Sequence, residues 1–93
     1  MENKSDSDVI FVGKKPIMSY VLAVLTNINS GYNSVRIKAR GMSISKAVDV
    51  SQLVTRKFSK ELKISNAEIG TEELTDKDNK PKNVSYISIE MRR

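Results

Sequence analysis

Ser34-Val35-Arg36-Ile37-Lys38-Ala39-Arg40 alternates without a break. On an extended chain successive side chains face opposite sides, so Val35, Ile37 and Ala39 share one face and Arg36, Lys38 and Arg40 the other. Such a segment is a half-buried strand with one basic face. Upstream, Val9 to Val12 is a short β-branched and aromatic run ended by Gly13, which predicts a first strand. Pro16 stands where a helix begins, and Ile17, Val21, Val24, Leu25 and Ile28 then recur at three- and four-residue spacing to about Ser30. Gly31 occupies the stop position. The alternating segment is therefore the second strand of a β-α-β unit. Right-handed crossover makes its two strands parallel.

Downstream, Gly41 ends the strand, and Ser43 is a fitting N-cap for a second helix reaching Phe58 or Ser59. Ile44, Ala47, Val48, Val54 and Phe58 fall in one arc of that helix, while Leu53 lies opposite, between Lys46, Lys57 and Lys60. Leu62 to Thr75 and Asn83 to Met91 read as two more strands. The linker Asp76 to Lys82, polar, charged and containing Pro81, reads as a mobile hairpin tip. The element order is β-α-β-α-β-β. Residues 1–8 carry no apolar periodicity and read as a disordered N-terminal tail, leaving 9–93 as one domain.

A chain of 93 residues has a modest core, so oligomerisation is a natural supplement. With 39% hydrophobic and 29% charged residues it belongs with folded soluble domains. It has no Cys and no His, which removes thiolate chemistry, disulfides and the commonest general base and metal ligand. Asp49, Glu68, Glu72 and Glu73 show no metal-ligand spacing. Phosphate-loop and nucleophile-elbow motifs are absent too, so neither an enzyme nor a cofactor is expected. The start is polar and acidic, unlike a signal peptide, and the longest apolar run cannot span a bilayer, so a cytoplasmic location is expected.

The charge is segregated. Net charge is +5, and all 11 acidic residues lie outside Val9 to Val48, a stretch that holds Lys14, Lys15, Arg36, Lys38, Arg40 and Lys46. Clustered cations without local acids attract polyanions. Parallel strands put the turns Gly13 to Pro16 and Arg40 to Ser43 at one sheet edge, each opening a helix whose free N–H groups also favour phosphate. Lys77, Lys80 and Lys82 join that edge if the third strand is parallel to the first two, a direction this reading leaves open.

Val12-Gly13-Lys14-Lys15-Pro16-Ile17-Met18 with Tyr20-Val21-Leu22-Ala23, then Ile37-Lys38-Ala39-Arg40-Gly41 and Ile44-Ser45-Lys46-Ala47-Val48-Asp49, closely resembles the Alba family of archaeal chromatin proteins. The resemblance runs from about Val9 to Arg93. It implies a two-layer α/β domain of the α+β type, similar to the C-terminal domain of a bacterial translation initiation factor. Both helices there cover one face of a mixed four-stranded sheet of order 1-2-4-3, with the third strand parallel to the first two. It also implies a homodimer that binds double-stranded DNA, and often RNA, with little sequence preference. The implied contacts are Lys14, Lys15, Arg40 and the hairpin lysines, and Met42 departs from the basic residue that often follows this glycine. Phe58 matches an aromatic through which family dimers contact neighbouring dimers on DNA.

The remaining candidates carry two readings each. Lys38 and Arg36 face outward on a strand, as phosphate contacts or as a solvated sheet face. Lys46 sits in a helix's first turn, where the dipole disfavours a cation; it either serves the nucleic acid or pairs with Asp49. Phe58 is core or dimer–dimer contact, and Leu53 an exposed contact or an incidental leucine. Tyr20, Tyr32 and Tyr86 read as packing residues, not the stacking platform of a single-strand binder. Arg92 and Arg93 read as a frayed end. The favoured function is a DNA-coating chromatin protein in the nucleoid. An RNA chaperone or ribonucleoprotein subunit is the alternative, since eukaryotic relatives of the family serve in ribonuclease P.

Overall fold

In the computed structural model of the chain, which describes residues 7–93, β1 (Ser7–Phe11) runs parallel to β2 (Ser34–Arg40). Strand β2 pairs antiparallel with β4 (Pro81–Arg92), and β4 antiparallel with β3 (Lys63–Thr75), giving the order β1-β2-β4-β3. Two antiparallel steps make β3 parallel to β1 and β2, the direction the family resemblance implied. Helix α1 (Ile17–Asn29) lies on β1 and β2, and α2 (Ile44–Leu53) on β2 and β4. Both helices cover the face that carries Val35, Ile37 and Ala39.

That face and the helices form the core. Val21, Val24, Val35, Ile37, Val50, Val54 and Met91 are fully enclosed, and Leu62 and Ile89 nearly so. The bounds of β2 are those of the alternating heptapeptide. By contrast, β1 begins at Ser7 and ends at Phe11, so Ser7 and Asp8 belong to a strand and not to the tail. Asp8 accepts a hydrogen bond of 2.7 Å from the Asn27 side chain of α1, which fastens this strand end to the helix. Residues 1–6 of the expected tail lie outside the described residues.

The second helix departs from expectation at both ends. Gly41–Ser43 form a 3-10 turn before α2, and Ser43 itself is helical in backbone and makes no side-chain cap. After Leu53 the chain widens into a π-type segment, Val54–Phe58, closed by the Ser59 N–H on the Val54 carbonyl. Wider turns rotate each later side chain away from the helical arc. Phe58 is accordingly exposed; Val48, which precedes the segment, is exposed too, because the buried stripe of α2 runs through Ala47, Val50, Ser51 and Val54. Arg92 and Arg93 are not frayed: Arg92 ends β4, and Arg93 bonds the carbonyls of Asn33 and Ile28 and the Glu61 carboxylate.

Strand β3 receives no helix. A bulge between Ile64 and Asn66 keeps Ile64, Ala67 and Ile69 on the same side, and Ile69 is 78% exposed. Pairing of β2 with β4 stops at Arg40 and Tyr86, while β3 and β4 continue to Thr75 and Pro81. The free arm is about 17 Å long at 3.3 Å per residue.

Candidate nucleic-acid interface

Everything expected at the rim depends on the short loop after β1. The Val12 N–H still bonds the Lys38 carbonyl at 2.8 Å, so the chain leaves the sheet only at Gly13. There the phenol oxygen of Tyr20, one turn into α1, accepts the N–H groups of Gly13 and Lys15 at 2.8 and 3.1 Å. From the other side Lys46, in the first turn of α2, donates its Nζ to the carbonyls of Gly13 and Lys15 at 3.0 and 2.8 Å. The loop is clamped between the helices, and the side chains of Lys14 and Lys15 are exposed. Burial pushes the Tyr20 phenol up, but the Lys15 and Gly13 N–H donors and the positive charges of Lys46 and Lys15 outweigh it. Its pKa lies below the ordinary 10.0.

This clamp revises two expectations, for Lys46 and Tyr20, and fixes the turn's own amides. Lys46 does not pair with Asp49; its ammonium is engaged with loop carbonyls, two of its three donors being used. The Gly13 and Lys15 amides are turned inward and are unavailable to a phosphate. Tyr20 is more than packing. A sequence signal existed, an isolated Tyr seven residues after Gly13 on an otherwise uncharged helix, but its target was a main-chain loop that has no signature.

Parallel pairing of β1 and β2 brings Lys14, Lys15 and Arg40 to one edge, and Lys46 ties the first turn to the start of α2, the helix that follows the second. Arg40 is half-exposed, and its guanidinium lies 3.6 Å from the Glu72 carboxylate on the rising arm of the hairpin. Gly41 follows with φ +58, a left-handed value that a side chain would strain, and turns the chain up into the helix. Met42, beside it, is fully exposed at the rim. The hairpin extends from the same edge, and its tip is tied, unlike a slack linker. Asp76 Oδ1 accepts the N–H groups of Asp78 and Lys80 at 2.8 and 2.9 Å, and Asp76 N–H bonds the Lys80 carbonyl. Asn79 takes the positive φ of 62. Lys77, Lys80 and Lys82 are all exposed there. Among the described residues, the side chains of Lys14, Lys15, Lys77, Lys80 and Lys82 form no ion pair.

Other candidates lie elsewhere. Lys38 is half-buried on the uncovered sheet face, one strand step below Arg40. Arg36 is held there by the Ser88 hydroxyl at 3.1 Å and Glu90 at 3.6 Å, which favours the sheet-face reading. Phe58, 49% exposed, is not core. Leu53 is half-buried and packs against the core, so it is not a stranded exposed leucine. Both stand on the helical layer, and Leu53 lines a cavity there with Ile17 and Asp49. Among the described residues no group of three or more His, Cys, Asp or Glu could hold a metal ion. No helix is long and apolar enough to cross a membrane.

The Alba family model matches residues 8–71. The DNA/RNA-binding protein Alba of Methanocella arvoryzae is 46% identical over 88 residues, 95% of this chain and 92% of that protein. DNA/RNA-binding protein Alba 1 of Archaeoglobus fulgidus is 49% identical over 80 residues, 86% of this chain and 89% of that protein. These are names of binding proteins, not of enzymes. The structure of Alba from Thermoplasma volcanium superposes with a TM-score of 0.86 at 47% identity, over 91% of this chain and 99% of that one. A parallel strand pair opening into two basic turns, a 1-2-4-3 sheet and likeness along nearly the whole length agree: the chain belongs to the Alba family.

Proposed function

We propose that the protein is a non-catalytic, largely sequence-independent binder of double-stranded DNA that coats or compacts DNA as a homodimer. One observation carries this reading: Lys46, in the first turn of α2, ties the Gly13–Lys15 loop to the helix that follows the Arg40–Ser43 turn, at the sheet edge from which the lysine-tipped hairpin extends. Lys14, Lys15 and Arg40 track phosphates, with Lys38 below them and Lys46 adding charge from behind. Lys77, Lys80 and Lys82 reach along a groove. Phosphate contacts position a protein without reading sequence. The relatives' names, as DNA/RNA-binding proteins, support a nucleic-acid ligand. Ile64, Ala67 and Ile69, on the helix-bearing face of the sheet where β3 extends past the helices, support a second copy as partner. Phe58 and Leu53 serve contacts between dimers on DNA, and the site of action is the nucleoid. The same rim accepts A-form RNA through phosphates and 2′-hydroxyls, which makes RNA binding the second reading.

Salt titration tests the proposal. With about six to ten phosphates neutralised per dimer, affinity falls roughly 10³–10⁵-fold between 50 and 200 mM salt. Lys14→Ala with Lys15→Ala weakens binding to all sequences alike and flattens the slope; an unchanged slope puts the site elsewhere. Competition between matched DNA and RNA duplexes ranks the two ligands.

A further inference from the structure

The sheet face opposite the helices is open, and duplex binding at the rim makes no use of its aromatic residues. The strand register lays that face out as a grid. Phe11, Lys38, Ser88 and Glu68 stand side by side across the four strands, and one step toward the rim come Arg40, Tyr86 and Gly70. All of these but Gly70 line a shallow cavity of ≈ 700 Å³, within the range of small-molecule sites. Phe11 is 67% exposed. Tyr86 lies directly over Gly70: a Cβ there would come within 2.5–2.7 Å of its ring, so the missing side chain is what lets the ring sit low on the sheet.

The chemistry of the face is graded. Cations from β2 lie beside Phe11, and the carboxylates of Glu68 and Glu72 stand on the far side, past Tyr86. A second copy of the chain docking here would have to bury Arg36, Lys38, Arg40, Glu68, Glu72 and Glu90, a costly desolvation. The apolar strip Ile64–Ala67–Ile69 offers a copy far better terms. A nucleotide matches all three zones, with a flat apolar base for the rings, a phosphate for the cations and ring or amino N–H groups for the carboxylates. Bases within a duplex are stacked on each other and cannot lie on Phe11.

We infer that the open sheet face binds an unpaired stretch of nucleic acid, with bases stacked on Phe11 and Tyr86 and the phosphate between them on Lys38 and Arg40. Glu68 accepts hydrogen bonds from base edges, which favours guanine, with two adjacent N–H donors, over uracil. The face is continuous with the rim through Arg40 and rests on the proposed function only for that shared basic edge.

The test uses the full chain and oligonucleotides of about six nucleotides, within the site sizes of single-strand binders. One set is guanine- and adenine-containing and the other is uridine only, each in RNA and DNA form, with a DNA duplex in parallel. Phe11→Ala, and Tyr86→Leu to keep Gly70 covered, each lower affinity for the purine oligonucleotide about tenfold, the scale of a lost base stack. Duplex affinity and the unfolding transition stay as in wild type. Glu68→Gln narrows the preference for guanine over uridine. Equal binding of RNA and DNA, or tighter RNA, both support the site; the second adds a 2′-hydroxyl contact. Wild-type affinity in Phe11→Ala and Tyr86→Leu overturns the inference, as does a changed oligomeric state in Phe11→Ala, which would assign the face to a second copy. Oligonucleotide binding without duplex binding would sink the proposed function and leave this site standing.

Discussion

Tyr20 and Lys46 touch main-chain atoms of one three-residue loop and together decide where Lys14 and Lys15 point. Lys46→Met keeps the length of the side chain and removes the donors. Its expected effect is a loss of duplex affinity of several-fold, beyond the change in salt slope that a single charge gives. Filter binding at two salt concentrations separates the two components. Tyr20 adds a pH signature. Its folded pKa lies below the unfolded value of 10.0, so folding favours the phenolate. The stability tied to this ionisation is fully present above the unfolded value and is lost as pH falls through the folded one. Wild type should therefore gain stability relative to Tyr20→Phe as pH rises toward 10, measured by denaturant unfolding at each pH. Arg40 makes the opposite case, a proposed phosphate contact whose guanidinium is paired with Glu72 at 3.6 Å. An exposed pair of this kind is weak, so Glu72→Gln should tighten duplex binding by only about two- to fivefold.

At the scale of elements, the hairpin arm is held by its ladder and by Asp76. Asp76→Ala removes the acceptor of the Asp78 and Lys80 N–H groups. Faster amide exchange at those two positions is expected, with little change in global unfolding, because the tip contributes nothing to the core. Gly70→Ala drives a Cβ into the Tyr86 ring and should cost about 1–3 kcal/mol, read from thermal or denaturant unfolding. The same scale explains what could be read from the chain alone. Residues Ser34 to Arg40 announced β2 to the residue, because a period of two over seven positions has no competing reading. Phe58 misled, since the helical arc assumes 3.6 residues per turn and the π-type segment widens it. Ser43 misled because the 3-10 turn before α2 takes the place of a side-chain cap. Ser7 and Asp8 were unreadable as strand because their polarity conceals a tie to Asn27, 19 residues away.

For the whole molecule, segregation of charge along the sequence became segregation in space because parallel strands return both turns to one edge. That much was legible, as was the basic outer face of β2, while the neighbours that the other strands set beside it were not. Phe11, Lys38, Tyr86 and Glu68 come from four strands, and their adjacency exists only once the register is known. The apolar strip of β3 on the helix-bearing side of the sheet, past the helices, carries the assembly proposal. Ile69→Asp places a charge where an apolar contact is expected, so it should shift the protein toward monomer and lower both duplex affinity and salt slope. Sedimentation with parallel binding measurements would check it. The four side-chain bonds at the rim loop have a further consequence, since all of them end on backbone atoms of Gly13 and Lys15. Positions 14 and 15 can thus be rewritten to arginine, glutamine or glutamate while the scaffold beneath them keeps its shape. A library randomised at just those two sites would read out affinity against a constant architecture, separating what grips the polymer from what holds the grip in place.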